Sequence, residues 1–476
     1  MTTDKREIGS QEIETPRLRD LFTRSRTPAT LLLGAGVGLE ALEFYVTTSL
    51  MPSMVRDIGG LELLAWTASL FVAAIVLGSI CVVIRPRNMT LNQTYITGAL
   101  LFAVGCGIIG LAPNMIMVLV GRVVQGFGAG LLVTMAYSFI RFVYPPGLQN
   151  AASALYTSLW GVSVFLGPTM GGMFANGSQW RWAFLILIPF AVIMAFAAPK
   201  WLPEGEDDRE PEDVPLPQIL LILGAILAIS FAGTAETHLW RTVLVGGGLA
   251  AIAALLFWER HSAARLFPTQ ATWLGHPLAK VYLVMFLVIV SLNSDIYAPY
   301  FLQTLHGVTP LVAGYLVALV ALGWTAAGLG TASFQGRKAI AAIVAGTIVL
   351  SASTFILALV ISQANAAGNI WIVVAISALL FGMGVGTGLG WAHLVSLVLT
   401  RSDDAEADKA SASINLIQSL GAAFGAAVAG VVANSSGLVT PGGTEGAISA
   451  GFWLYLSMAL PALVALFVAL PLFRKT

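Results

Sequence analysis

Runs of about twenty consecutive apolar residues constrain this chain more than any other feature, because each has the length that crosses a lipid bilayer as a helix. Fourteen can be read, at about 29–51, 63–84, 93–112, 115–140, 151–175, 182–201, 217–235, 239–258, 280–302, 309–332, 338–362, 369–399, 410–433 and 447–473. Inside lipid a segment must satisfy its own backbone hydrogen bonds. The expected fold class is therefore an all-α polytopic membrane protein. Composition agrees, with 57% hydrophobic residues, 10% charged and a mean hydropathy of +0.84, where soluble domains carry about 25% charged residues. A soluble globular chain is excluded, and so is a disordered one. Lys+Arg and Asp+Glu balance at 24 each, so nothing points to nucleic acid. Cys81 and Cys106 sit inside apolar runs and suggest neither a disulfide framework nor a metal site.

Lys and Arg are retained on the cytoplasmic side during insertion. With the N-terminus inside, Arg56, Arg181 and Arg241 fall outside, Arg122 falls within a span, and every other basic residue lies inside. Both termini are thus expected to be cytoplasmic, in a bacterial inner membrane. The first 27 residues are polar and mixed in charge, unlike a cleaved signal peptide. Two acidic runs, Glu204–Asp213 and Asp403–Asp408, read as solvated linkers. The segment Arg17–Arg26 reads either as a short interfacial helix or as a plain tail.

Sliding the chain against itself by 258 residues superposes Gly126, Gly128 and Gly130 on Gly384, Gly386 and Gly388, and Gly167 and Gly172 on Gly425 and Gly430. The offset pairs the fourth span with the twelfth and the fifth with the thirteenth, in the same orientation. That predicts two parallel six-helix repeats plus two inserted helices, a transporter plan. The expected domains are a tail at 1–27, bundles at 28–201 and 279–476, and between them, at 202–278, the acidic linker with the inserted pair.

Several motifs then carry a family resemblance. They are Leu42-Glu43 through Leu50-Met51-Pro52 in the first span, Arg122-Val123-Val124-Gln125-Gly126-Phe127-Gly128 in the fourth, Gly167-Pro168-Thr169-Met170-Gly171-Gly172 in the fifth, and Trp180-Arg181-Trp182 before the sixth. Together the chain resembles the fourteen-helix drug:proton antiporter branch of the major facilitator superfamily. The resemblance implies the major facilitator fold, alternating access, and conformational roles for Gln125, Gly126, Gly167, Pro168, Gly171 and Gly172. It also implies export rather than uptake. One departure stands out. Where the family's loop after the second span carries an Asp-Arg pair, this chain reads Val82-Val83-Ile84-Arg85-Pro86-Arg87.

A charge at the bilayer centre costs roughly 2.5–3.5 kcal/mol on insertion scales, so it is seldom there without a role. Glu40, Glu43, Arg122 and Asp295 qualify. Counted inward from the outer ends of their spans, Glu43, Arg122 and Asp295 lie at matched depths of roughly 12–14 Å, and Glu40 one turn deeper. Glu43 is the first choice for a proton-coupling acid tuned by Arg122, Glu40 the second; Asp295 is read as a cation counter-charge or second proton site. A static ion pair is the alternative. Tyr45, Trp160, Tyr297, Trp391 and His393 are candidates for the substrate cavity, since aromatic faces suit bulky cationic compounds.

The function expected is proton-coupled export of amphipathic or cationic compounds, as in multidrug efflux. The alternatives are export of an endogenous lipid or secondary metabolite, or a transport-inactive sensor or scaffold. No phosphate-binding Gly-x-x-x-x-Gly-Lys loop or catalytic constellation appears. Hence neither an enzyme nor a cofactor is expected; the proton gradient is the driving force, and small amphipathic substrates, protons and the bilayer are the partners, with any partner protein unknown.

Overall fold

Each apolar run forms a helix, because side chains that are mostly apolar leave the backbone only itself to bond. The computed structural model describes residues 18–83, 89–204, 215–273, 275–365, 368–403 and 406–475. Its spanning helices are α1 (Thr27–Ile58), α2 (Leu64–Val83), α3 (Leu91–Gly110), α4 (Met115–Ser138), α5 (Pro146–Met173), α6 (Leu187–Trp201), α7 (Leu216–Thr234), α8 (His238–His261), α9 (Pro277–Leu292), α10 (Pro310–Thr331), α11 (Gly336–Ile361), α12 (Ile370–Arg401), α13 (Ala407–Ser435) and α14 (Gly443–Ala469). Thirteen stretches among the described residues are long and apolar enough to cross a membrane. The fourteenth helix, α5, has the same length class, 28 residues, but is rich in Gly, Ser and Thr. Residues 1–17, the acidic linker from 205 to 213 and Ile84–Arg87 of the altered loop lie outside the described residues.

Local chemistry sets the ends. Thr90 and Asn114 cap α3 and α4 by accepting from the N–H groups of Gln93 and Met117. Gly59, at φ +73°, closes α1 in a conformation that favours glycine. Two expected spans are interrupted. The sixth is preceded by the short helix Trp180–Leu185. The ninth, read as continuous over 280–302, breaks after Leu292 into the 3-10 segment Asn293–Tyr297 before resuming as Ala298–His306. Pro299 explains the break, because it has no N–H to return to the carbonyl of Asp295.

The repeat is visible in how the glycines pack. A Cβ on Gly126 or Gly130 would strike the α2 backbone at Phe71 or Ile75, and one on Gly128 would strike Phe102 of α3. In the second half, Gly384 and Gly388 abut Val320 and Trp324 of α10, while Gly386 abuts Leu350 of α11. So α4 sits between α2 and α3 as α12 sits between α10 and α11. Only glycine lets backbones approach this closely. The structure is thus two parallel six-helix bundles, α1–α6 and α9–α14, with α7 and α8 inserted between them in sequence.

The bundles meet along two seams, α2 against α13 and α5 against α10. We call the side holding the start of α1 and the end of α14 the inner side. Contacts at the outer side are tight: Gly172 meets Leu311, Pro168 meets Gly314, and the Thr169 and Tyr315 hydroxyls lie 2.5 Å apart. Inward along the same face of α5, Phe165 is 49% exposed and a Cβ on Gly161 would meet nothing within 4 Å. The α5–α10 seam therefore closes outward and splays inward.

The inserted pair rides on the second bundle. Ile222, Ile226 and Ile229 of α7 pack with Ala423, Phe424 and Ala427 of α13, and α8 packs mainly on α7. The second acidic run, expected to be solvated, is partly engaged: Glu406 accepts from the Thr269 N–H and hydroxyl, and Asp403 from the Gln270 amide. These bonds tie the loop after α8 to the α12–α13 connection.

Candidate functional site

Helical spacing aims Glu43 at α4. Glu43 is fully buried, and its Oε1 accepts from Arg122 and, at 2.5 Å, from the Thr47 hydroxyl one turn onward. Arg122, eight positions into α4 and 2% exposed, uses the rest of its fork to fix itself. Its Nε donates to the Thr67 carbonyl at 3.0 Å and its Nη1 to Gln125 Oε1 at 2.7 Å; the guanidinium lies 3.7 Å from the Phe71 ring centre. Gln125 in turn donates to Cys106 Sγ at 3.1 Å. One carboxylate atom, Glu43 Oε2, is buried with no hydrogen-bond partner. Four helices, α1 to α4, are thus joined through one buried charge pair, and the desolvation of each ion is offset by the other.

Glu40 lies one turn inward on α1. It is 8% exposed and, among the described residues, makes no hydrogen bond. Asp295 lies on the interrupted part of the α9 span, in the opposite bundle. The two carboxylates converge on Tyr45, which is within electrostatic reach of both. Phe44, Tyr45 and Trp160 form an aromatic group with ring centres 5.5 to 6.3 Å apart. Thus Glu40, Glu43, Arg122, Tyr45, Trp160 and Asp295 are brought together.

Three candidates sit elsewhere. Tyr297 is fully buried, stacked on Phe301, with its hydroxyl 3.7 Å from where a Cβ on Gly430 would lie; it packs at the bundle seam rather than facing open space. Trp391 meets Trp324 edge-on at 5.4 Å, and His393 stacks on Phe334 at 6.4 Å, both toward the inner end of α12. The fifth-span motif has a clear division: Gly167 and Gly171 abut Tyr45 and Ser49 of α1, while Pro168 and Gly172 abut α10 of the other bundle. That motif is where one bundle touches both its own first helix and its counterpart.

Sequence reading missed Thr47, Thr67, Phe71 and Phe44. Thr47 had a signal, since i and i+4 share a helix face. The Thr67 carbonyl had none. Among the described residues no group of three or more His, Cys, Asp or Glu could hold a metal.

The Major Facilitator Superfamily model matches residues 33–426. Over 464 residues the chain is 33% identical to a Mycobacterium tuberculosis protein named "Probable multidrug-efflux transporter", covering 94% of this chain and 95% of that one. A multidrug efflux pump of Staphylococcus aureus is 24% identical over 407 residues, covering 85% and 89%. Among solved structures, a bacterial homologue of the human lysosomal transporter Spinster, inward-facing and unoccupied, aligns with a TM-score of 0.65 at 14% identity over 95% and 98% of the two chains. A peptide transporter in complex with alafosfalin aligns at 0.67 and 14% identity over 94% and 95%. At such identities the structures share the fold alone. With two parallel six-helix bundles and an inserted helix pair among the described residues, and a family match across most of its length, the chain belongs to the Major Facilitator Superfamily and is a transporter, not an enzyme.

Proposed function

We propose that this transporter exports cationic amphipathic compounds across a bacterial cytoplasmic membrane in exchange for protons, with both termini cytoplasmic. The observation that carries the reading is the buried Glu43–Arg122 pair with Glu40 one turn away on α1, which sets a second carboxylate beside a charge pair already matched. One acid is balanced and one is left over. A group that must be neutral when alone and charged when a cation arrives is the minimum device for exchange. Asp295 and the Phe44–Tyr45–Trp160 rings supply counter-charge and π-faces for the cargo.

The relatives named as multidrug-efflux proteins support the direction and breadth of this reading. With the outer seam closed, cargo enters from the inner side, between α5 and α10. Reopening that seam at Gly172 and Leu311 would release it outward. Binding energy from the aromatic faces is nonspecific in shape, which suits many cargoes. No cofactor is required, because the proton gradient supplies the work.

Everted membrane vesicles test this directly. Vesicles energised to an acid interior are given ethidium or tetraphenylphosphonium, and interior pH is followed by a quenched acridine dye. The parent is expected to release interior protons on addition of either cation, at several times the rate of vesicles lacking the protein. No release with a broad panel of cations, at normal expression, contradicts proton-coupled export.

A further inference from the structure

We propose that α7, one of the two helices inserted between the repeats, is a moving part of the outer gate: it travels with the second bundle and grips α2 of the first only while the outer side is shut. The proposal rests on the exporter reading only in that the two bundles must rock. The second bundle holds α7 at three levels. Near the outer end, the Asn434 amide of α13 donates to the Gly233 carbonyl at 3.0 Å. Midway, Ile222, Ile226 and Ile229 pack with Ala423, Phe424 and Ala427 of α13. At the inner end the fully buried Gln218 donates to the Ala264 carbonyl at 2.7 Å, in the loop that Thr269 bonds to Glu406 at the start of α13.

The first bundle meets α7 differently. Trp66 of α2 and Phe231 of α7 stand edge-on with ring centres 4.6 Å apart, and the buried Ser69 and Ser230 hydroxyls lie 3.4 Å apart. All four residues lie in the outer halves of their helices, which run antiparallel. Further inward the same two helices are separated by a crevice with an entirely aliphatic lining, including Val76, Leu77 and Ile80 of α2 and Ile219, Ile222 and Leu223 of α7. So α7 touches α2 outside and parts from it inside, as α5 does with α10. Among the described elements no third helix covers the α5–α10 seam in this way.

The chemistry of the two halves suits a contact that is made and broken. A serine inside a helix can turn its hydroxyl back to a carbonyl of its own preceding turn. Ser69 already has the Trp66 carbonyl at 3.5 Å, so parting it from Ser230 leaves no orphaned donor. The inner crevice holds no polar side chain, and lipid tails are as apolar as its walls, so closing or opening it exposes nothing that lipid cannot cover. When the bundles rock outward, the Trp66–Phe231 and Ser69–Ser230 contacts separate and the inner halves of α2 and α7 come together. The inserted helix thereby doubles the closure of the α2–α13 seam, where Asn434 spans to the Glu62 carbonyl of the first bundle at 2.8 Å.

The test pairs ethidium transport in proteoliposomes with free-thiol titration of the same protein. Ser69→Cys with Ser230→Cys changes one atom in each side chain and sets two sulfurs within disulfide reach after a small rotation. Reduced, this protein is expected to transport like the parent; oxidised, less than about a tenth as fast, with reductant restoring the rate. Gly233→Cys with Val431→Cys joins α7 to its own bundle, where a Cβ on Gly233 already lies 3.2 Å from the Val431 nitrogen. Its oxidised form is expected to transport like its reduced form. Full transport with the Ser69–Ser230 pair bridged overturns the proposal, and so does arrest by the Gly233–Val431 bridge, because α7 must then slide on α13. A parent that moves no ethidium counts against the exporter reading instead, and a third pair then decides the proposal by thiol titration alone. Leu77→Cys with Leu223→Cys, across the crevice, is expected to bridge in otherwise parental protein and to stay reduced once the Ser69–Ser230 pair is bridged. Inner bridging at the same rate in both backgrounds overturns the clasp.

Discussion

Arg122→Ala is expected to abolish transport and to cost about 3–5 kcal/mol of stability, the usual result of removing one member of a buried ion pair. The loss is large because one side chain serves three helices. Its removal leaves Glu43 buried with only Thr47, frees Gln125, and opens space beside Phe71. Arg122→Lys should lie in between, since an ammonium cannot hold the Thr67 carbonyl and Glu43 from one planar fork. Thermal denaturation of purified protein, followed by fluorescence-detected gel filtration, gives the order parent, lysine, alanine. Alanine protein that melts with the parent would mean that the pair is ornamental.

Cysteines placed at Ala65 and Gly430 are expected to lock the outer seam and stop transport completely. A Cβ on Gly430 would lie 2.7 Å from that of Ala65, nearer than the roughly 3.5–4.5 Å a disulfide spans, so the two helices must part slightly to accept the bridge. Asn434 already ties this place together, donating to the carbonyls of Glu62 at 2.8 Å and Gly233 at 3.0 Å. An exporter that alternates its access must part these ends once per cycle. Oxidised protein should therefore be silent and regain activity with reductant, measured as efflux from cells alongside the fraction cross-linked. Full activity in fully cross-linked protein would show that the α2–α13 seam does not open.

Much of this was legible in the chain, and the reasons are physical. Spans show because lipid tolerates few polar residues, and the repeat shows because glycines at Gly126, Gly130, Gly384 and Gly388 are required for backbone contact at both copies. Matched depth placed Glu43 opposite Arg122, since two buried charges at one level are costly unless paired. What escaped notice depends on the third dimension. The hydrogen bond from Arg122 to Thr67 uses a carbonyl, which every residue has. Tyr297 looked like cavity lining, but the 3-10 break at Asn293–Tyr297 turns it into the bundle seam. Glu40 and Glu43 looked alike in sequence; only the partners on α4 and α2 separate them.

The central claim is that the buried carboxylate cluster couples cation export to protons. Purified protein in liposomes, given an imposed pH gradient and ethidium, measures this with nothing else present. The parent is expected to concentrate ethidium in the acidic compartment and to stop when the gradient is collapsed. Glu43→Gln should bind ethidium yet fail to concentrate it, because the Arg122 charge it leaves behind is free to capture Glu40. A Glu43→Gln protein that concentrates ethidium as the parent does, or a parent that concentrates it without a gradient, contradicts the account.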